Sequence, residues 1–69
     1  MKLIHKQVAV IDHIAVGVAM RHLREKRGIS LREMAKRLKL SAPYISDLER
    51  GNRNWTQDRI DRFEKAVLR

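Results

Sequence analysis

The chain has 69 residues, of which 43% are hydrophobic and 35% are charged, with three glycines and one proline. A chain this short forms one domain with a small core, and so few turn residues favour a helical domain over an all-β fold. The absence of cysteine excludes disulfides and thiolate zinc sites, whereas a net charge of +8 favours a polyanionic partner, with nucleic acid first.

The segment before residue 12 has the composition of an extended strand. In KLIHKQVAVI (residues 2–11), Ile4, Val8 and Val10 share one side of the alternation, although Lys2 and Lys6 interrupt it. A lone strand has no partner in a helical chain, so we expect it to lie on the helices or to pair with a second copy. The chain is therefore divided into an N-terminal arm, residues 1–11, and a helical domain, residues 12–69.

The first helix is predicted between Asp12, an N-cap candidate, and Gly28, which follows a basic last turn. Its segment IAVGVAM (residues 14–20) is apolar throughout, whereas a helix at the edge of a small domain needs polar positions in every turn. We expect the arm of the same or a second subunit to cover this surplus. The predicted dimer or partner face comprises Ile4, Val8, Val10, Ile14, Val16 and Val18.

A second, shorter helix is predicted from Leu31 to Leu38. Ser30 is its N-cap candidate, and Glu33 stands at the position that completes a capping box. An apolar stripe runs along it at i, i+3, i+4 and i+7, formed by Leu31, Met34, Ala35 and Leu38. The pattern breaks at Lys39, which predicts an abrupt turn.

The third helix follows at once. Ser41 is its N-cap candidate, and Pro43 is tolerated in its first turn because the N–H that proline lacks has no intrahelical partner there. Ile45 and Leu48 are expected to point inward, and Gly51 to end the helix. Two short helices joined by so short a turn are what a helix-turn-helix requires.

A fourth helix is predicted after Thr56, with Ile60, Phe63 and Val67 at three- and four-residue steps. Trp55 and Phe63 could in principle stack on bases, but this spacing favours a place in the core. Arg59 and Arg62 alternate with acidic residues, which is typical of a solvated face with local ion pairs rather than of a DNA surface.

From Gly17 to about Val67, the chain resembles the Cro/repressor type of helix-turn-helix domain, the XRE family. The matching segments are LREKRGIS, LREMAKRLKLS and YISDLERGNRN. The resemblance implies an all-α, lambda-repressor-like fold of four to five short helices, here preceded by the extended arm. It also implies a sequence-specific regulator that binds double-stranded DNA, with a recognition helix at about residues 41–50 in the major groove.

The resemblance assigns roles to individual residues. Arg24, near the end of the first helix, is expected to pair with Glu49 as a structural ion pair. Base contacts are expected from the front of the third helix: Ala42, Pro43, Ser46 and Asp47. Phosphate contacts are expected from the start of the second helix, the third helix and the loop after it: Arg32, Ser41, Tyr44 (through its hydroxyl), Arg50, Asn52 and Arg53.

Three departures from the family pattern bear on these roles. Lys39 stands where a glycine is usual and a left-handed backbone is expected, which costs roughly 1 kcal/mol. Leu31 replaces a common Gln and cannot buttress phosphate or base contacts. The recognition face of the third helix also lacks the Arg, Asn and Gln that pair most strongly with bases. Asp47 is then either an acceptor from a cytosine amino group or a charge that meets no base, and affinity rests mainly on phosphates.

The sequence thus predicts a transcriptional repressor that acts as a homodimer and uses neither cofactor nor metal. The alternative is an antitoxin-like or adaptor protein whose partner protein binds the apolar first helix. We do not expect an enzyme, because the chain lacks a nucleophile–base pair, a metal-ligand set and a phosphate-cradling glycine loop. No segment approaches the ~18 apolar residues of a membrane span, and no signal-peptide cleavage site is evident, so a cytoplasmic location without membrane contact is expected.

Overall fold

A computed structural model describes residues 10–69 of the chain. Within these residues there are four α-helices and no strand: α1 (His13–Lys26), α2 (Leu31–Leu38), α3 (Ala42–Glu49) and α4 (Gln57–Val67). The predicted all-α fold of four to five helices is confirmed. Most of the predicted strand, with Ile4 and Val8 of the predicted partner face, lies outside the described residues. Residues 10–12 lead into α1 without regular structure.

Each helix begins at the polar residue predicted as its N-cap. Asp12 Oδ1 accepts hydrogen bonds from two backbone N–H groups of the first turn of α1, at 3.1 and 3.0 Å. The hydroxyls of Ser30, Ser41 and Thr56 each accept one bond from the N–H three residues ahead, at 3.0, 3.2 and 3.1 Å. These bonds satisfy donors that the first turn of a helix leaves without partners.

The first three helices each end at a residue in the left-handed conformation: Gly28 (φ 69°), Lys39 (φ 58°) and Gly51 (φ 80°). In each case the next N–H donates to the carbonyl five positions back, which joins Ile29 to Arg24, Leu40 to Ala35 and Asn52 to Asp47 at 3.2, 3.0 and 2.9 Å. This motif turns the chain sharply and satisfies the last carbonyls of the helix. At Lys39 a residue with a Cβ adopts the left-handed conformation, which glycine adopts without steric cost.

The core lies where α1 and α2 pack against α3 and α4. Trp55, just before α4, is 2% exposed and its indole N–H donates to the Leu48 carbonyl at 2.9 Å. Its ring meets Phe63 edge-on, with centroids 5.6 Å apart. Both aromatic residues therefore belong to the core, as predicted, and neither presents a face for base stacking. The other fully enclosed large side chains are Met34, Ile45, Leu48 and Val67.

A glycine lets α1 and α3 approach closely. A Cβ at Gly17 would lie 2.5 Å from the Glu49 carbonyl oxygen and 2.6 Å from that of Leu48, both on the backbone of α3. Real Cβ atoms essentially never come so near, so only glycine fits this position without moving a helix. The absence of a side chain at Gly17 thus lets the backbone of α3 lie directly against α1.

Arg37 ties α2 to the end of α4. Its guanidinium donates to the Ala66 carbonyl at 2.9 Å and to the Glu33 carboxylate at 3.2 Å. Because Glu33 is engaged in this way, the predicted capping box forms only through the Ser30 hydroxyl. None of the described helices is long and apolar enough to cross a membrane.

Candidate nucleic-acid interface

The helices α2 and α3 are joined by Lys39, Leu40 and Ser41. Lys39 adopts φ 58° and ψ 43°, the left-handed conformation expected at this position. Ser41 then caps α3, and Leu40 lies partly buried against the core between the two helices. The turn therefore fixes the direction in which α3 leaves α2, and so the face that α3 presents to solvent.

A buried ion pair anchors the core-facing side of α3. Arg24 Nε and Nη2 donate to the two carboxylate oxygens of Glu49 at 2.7 and 2.9 Å, and Arg24 Nη1 donates to the Ile29 carbonyl at 2.7 Å. The side chains are only 8% and 4% exposed. The hydrogen bond to Glu49 raises the pKa of Arg24 above its ordinary value, so the guanidinium stays charged. The pair joins the end of α1 to the end of α3.

The four residues expected to contact bases lie at the front and along the outer side of α3. Pro43 is exposed, Ser46 and Asp47 are half-buried, and Ala42 packs partly against the core. On the opposite side of α3, Ile45, Leu48 and Glu49 are buried. The Asp47 carboxylate lies 3.7 Å from Arg53 Nε, so it already has a cationic neighbour within the chain.

The six residues expected to contact phosphates divide into two groups. Tyr44 and Arg53 come together, with the Arg53 guanidinium 5.3 Å from the centre of the Tyr44 ring. The other four are exposed and, among the described residues, form no hydrogen bond or ion pair with one another: Arg32 on α2, Ser41 at the cap of α3, and Arg50 and Asn52 at and after its end. The fold therefore brings Tyr44, Asp47 and Arg53 into one cluster and leaves the remaining polar groups open to solvent.

The residues of the predicted partner face that the structure describes do not all lie on one side of α1. Val10, Ile14 and Val18 are 87%, 65% and 59% exposed. Val16, which was predicted with them, packs partly against the core. This placement corrects the prediction for Val16: positions two apart on a helix are related by a rotation of about 200°, so Val16 and Val18 point to nearly opposite sides.

Three contacts in this region differ in how far they could be predicted from the sequence. The close crossing at Gly17 had a signal, since a glycine inside an apolar helix segment is destabilising unless a neighbour requires it. The bond from the backbone N–H of Trp55 to His13 Nδ1, at 2.8 Å, had no such signal, because it joins residues far apart in the chain. Arg59 was assigned to a solvated face, yet its guanidinium lies 5.9 Å from the centre of the Tyr44 ring.

Within residues 10–69 no group of three or more His, Asp and Glu side chains is arranged to hold a metal ion. The chemistry that this surface offers consists of hydrogen-bond donors, guanidinium groups and small apolar groups around an exposed helix.

Comparison with known families gives a match to the helix-turn-helix domain over residues 15–67. The chain belongs to this family. The match includes all of α2, α3 and α4 and most of α1, so the helix-turn-helix domain accounts for nearly the whole described structure. The resemblance drawn from the sequence motifs is confirmed at this level.

The helix-turn-helix domain is also similar to one curated protein, an HTH-type transcriptional regulator, DdrOP3, of Deinococcus deserti. The two are 49% identical over 35 residues, which is 51% of this chain and 27% of the relative. The matched region thus spans about a quarter of the relative's length. No solved structure matches the chain.

Proposed function

We propose that the chain is a regulator of transcription that binds double-stranded DNA with sequence preference, represses by occupying its site and acts as a homodimer. The observation that carries the proposal is the outward side of α3, where Pro43, Ser46, Asp47 and Arg50 are exposed or half-exposed while the opposite side is buried. The similarity over 35 residues to a transcriptional regulator supports the same function.

The major groove of B-DNA accommodates an α-helix and displays a distinct pattern for each base pair. With α3 in this groove, Ala42 and Pro43 offer apolar contact to a thymine methyl group, and Ser46 offers a hydroxyl. Asp47 either accepts from a cytosine amino group or remains with Arg53, its neighbour at 3.7 Å. Few strong base contacts are available, so we propose that DNA shape and half-site spacing supply much of the specificity.

Phosphate contacts supply most of the affinity in this proposal. Exposed cations lie on α2 (Arg32), at the end of α3 (Arg50) and in the loop after it (Arg53), and Ser41, Tyr44 and Asn52 add hydrogen-bonding groups. The net charge of +8 attracts the polyanion to this surface over a long range. Each neutralised phosphate releases condensed counterions, so the affinity should fall steeply as salt rises.

The proposed dimer uses the exposed apolar strip of α1. Ile14 and Val18 lie four residues apart on α1, which places them on one side of the helix, and Val10 is exposed in the segment just before it. A second copy presents the same strip, as a two-fold interface requires. The N-terminal arm, residues 1–11, is proposed to contribute Ile4 and Val8 to the same interface. Two α3 helices would then read half-sites about one helical turn apart.

The test is a selection of binding sites from a randomised duplex library at physiological salt. We expect enrichment of a palindrome with half-sites about ten base pairs apart. Arg50→Glu should abolish enrichment, whereas Arg62→Glu, the same charge reversal on an exposed arginine of α4, should leave it intact. Absence of any enriched sequence would refute the sequence preference, and a monodisperse monomer at high micromolar concentration would refute the dimer.

A second candidate function follows from the same apolar strip. A chain whose partner protein binds α1 through Ile14 and Val18 would be an adaptor or an antitoxin-like protein. Binding of that kind depends little on salt, whereas 6 to 10 phosphate contacts lose about 10³ to 10⁵ in affinity between 50 and 200 mM salt. Arg50→Glu should spare protein binding and abolish DNA binding, and Val18→Asp should impair the former.

A further inference from the structure

Three separate segments of the chain meet at the ring of Tyr44. The ring lies in the first turn of α3, the Arg53 guanidinium comes from the loop after α3, and the Arg59 guanidinium comes from the first turn of α4. The two guanidinium carbons are 5.3 and 5.9 Å from the ring centre. Both distances fall within the range of about 6 Å in which a cation is attracted by the face of an aromatic ring.

The neighbours of Arg59 on α4 are engaged elsewhere. Asp58 accepts from Arg62 at 2.9 Å, and Asp61 accepts from Gln57 at 3.0 Å. None of the ion pairs among residues 10–69 includes Arg59. Arg59 is half-buried, and its guanidinium lies beside the Tyr44 ring of α3.

The charges in this cluster do not cancel. Two guanidinium groups lie near one ring, and the only carboxylate paired with either of them among the described residues is Asp47, at 3.7 Å from Arg53. Each guanidinium attracts an anion, and two of them beside one ring concentrate positive charge there. A phosphate of the DNA backbone is such an anion, and guanidinium groups bind phosphate oxygens through paired hydrogen bonds.

We propose that Arg59 is a further phosphate-binding residue and that Tyr44 is a positioning residue whose ring aligns Arg53 and Arg59 beside the groove that α3 enters. The inference rests on the proposed DNA binding and extends it to α4. The ring holds two flexible side chains near their bound geometry, so less conformational freedom is lost when the phosphate binds. The Tyr44 hydroxyl, expected from the sequence to contact a phosphate, has no necessary part in this arrangement.

The experiment measures the affinity of each variant for a random-sequence DNA duplex between 50 and 200 mM salt by fluorescence anisotropy. A fourfold rise in salt weakens binding by roughly threefold for each phosphate contact. Arg59→Gln should therefore show a shallower salt dependence, with about 0.9 less slope per subunit. Arg62→Gln, which removes the same charge from the exposed side of α4, is the matched control and should retain the wild-type slope.

Tyr44 is tested by two variants. Tyr44→Leu should weaken binding and should reduce the additional effect of Arg59→Gln, because the guanidinium is no longer aligned. Tyr44→Phe, which keeps the ring and removes the hydroxyl, should restore the slope that Tyr44→Leu loses. Thermal unfolding of each variant, followed by circular dichroism, verifies that the measurements are made on folded protein, since Tyr44 also packs partly against the core.

The outcomes separate this inference from the function on which it rests. If the wild type binds duplex with a steep salt dependence and Arg59→Gln has the same slope, the assignment of Arg59 is wrong and the DNA-binding function stands. If Tyr44→Phe is as impaired as Tyr44→Leu, the hydroxyl and not the ring is responsible. If the wild type does not bind duplex DNA, both the proposed function and this inference are refuted.

Discussion

The buried pair between Arg24 and Glu49 makes the sharpest prediction for stability. With 8% and 4% exposure and two short hydrogen bonds, each charge depends on the other for its solvation. Removing one partner leaves an unpaired charge in the interior, which costs about 3–5 kcal/mol. At about 0.05–0.15 kcal/mol per residue, a domain of this length has roughly 3–10 kcal/mol in total. Either Arg24→Met or Glu49→Leu should therefore remove about a third of the stability or more.

Urea unfolding at neutral pH, followed by the fluorescence of the single buried tryptophan, Trp55, measures these losses. The double variant Arg24→Met/Glu49→Leu should regain most of the stability, because a buried ion pair replaced by apolar groups leaves no charge unpaired. It should retain a deficit of about 1 kcal/mol, because the Ile29 carbonyl loses its donor at 2.7 Å. Single variants that lose less than about 1 kcal/mol, as exposed pairs do, would refute this account. So would a double variant that loses the sum of the two.

Three further predictions concern backbone and surface positions. Lys39→Gly should stabilise the domain by about 1 kcal/mol by removing the left-handed strain at φ 58°. Lys36→Gly, the same loss of charge inside α2, should instead destabilise it by about 1 kcal/mol. Denaturant titrations in which both variants change the free energy of unfolding in the same direction would contradict this. Gly17→Ala should cost about 1–3 kcal/mol, because its Cβ would lie 2.5 Å from a backbone oxygen of α3; an unchanged thermal midpoint would disprove the close crossing. The hydrogen bond from Arg21 lowers the pKa of the exposed Glu25 carboxyl, so its small stabilisation is present above the unfolded pKa and is lost as pH falls through the folded pKa. In a carboxyl NMR titration, Arg21→Gln should raise the Glu25 pKa, and no change would rule out this bond in solution.

The features of the interface that could be predicted from the sequence depend on interactions between residues that are close in the chain. The caps at Asp12, Ser30, Ser41 and Thr56 depend on bonds that reach two or three residues, and such bonds follow from residue type and spacing. The turn at Lys39 likewise lies between two helices whose bounds follow from the apolar pattern of the sequence. For this reason the number of helices, their beginnings and the exposed side of α3 could all be predicted from the sequence.

Other features depend on how the helices cross. The sequence placed Val16 on a partner face and Arg59 on a solvated one, whereas the tertiary structure turns the first partly into the core and the second toward Tyr44. The contact of His13 with Trp55 belongs to the same class. These contacts join residues from separate segments of the chain, so the periodicity within one helix cannot predict them. The sequence by itself determined which helices form and which side of each is apolar. Only the tertiary structure decided which side chains from different helices meet, because that depends on crossing distances and not on local spacing.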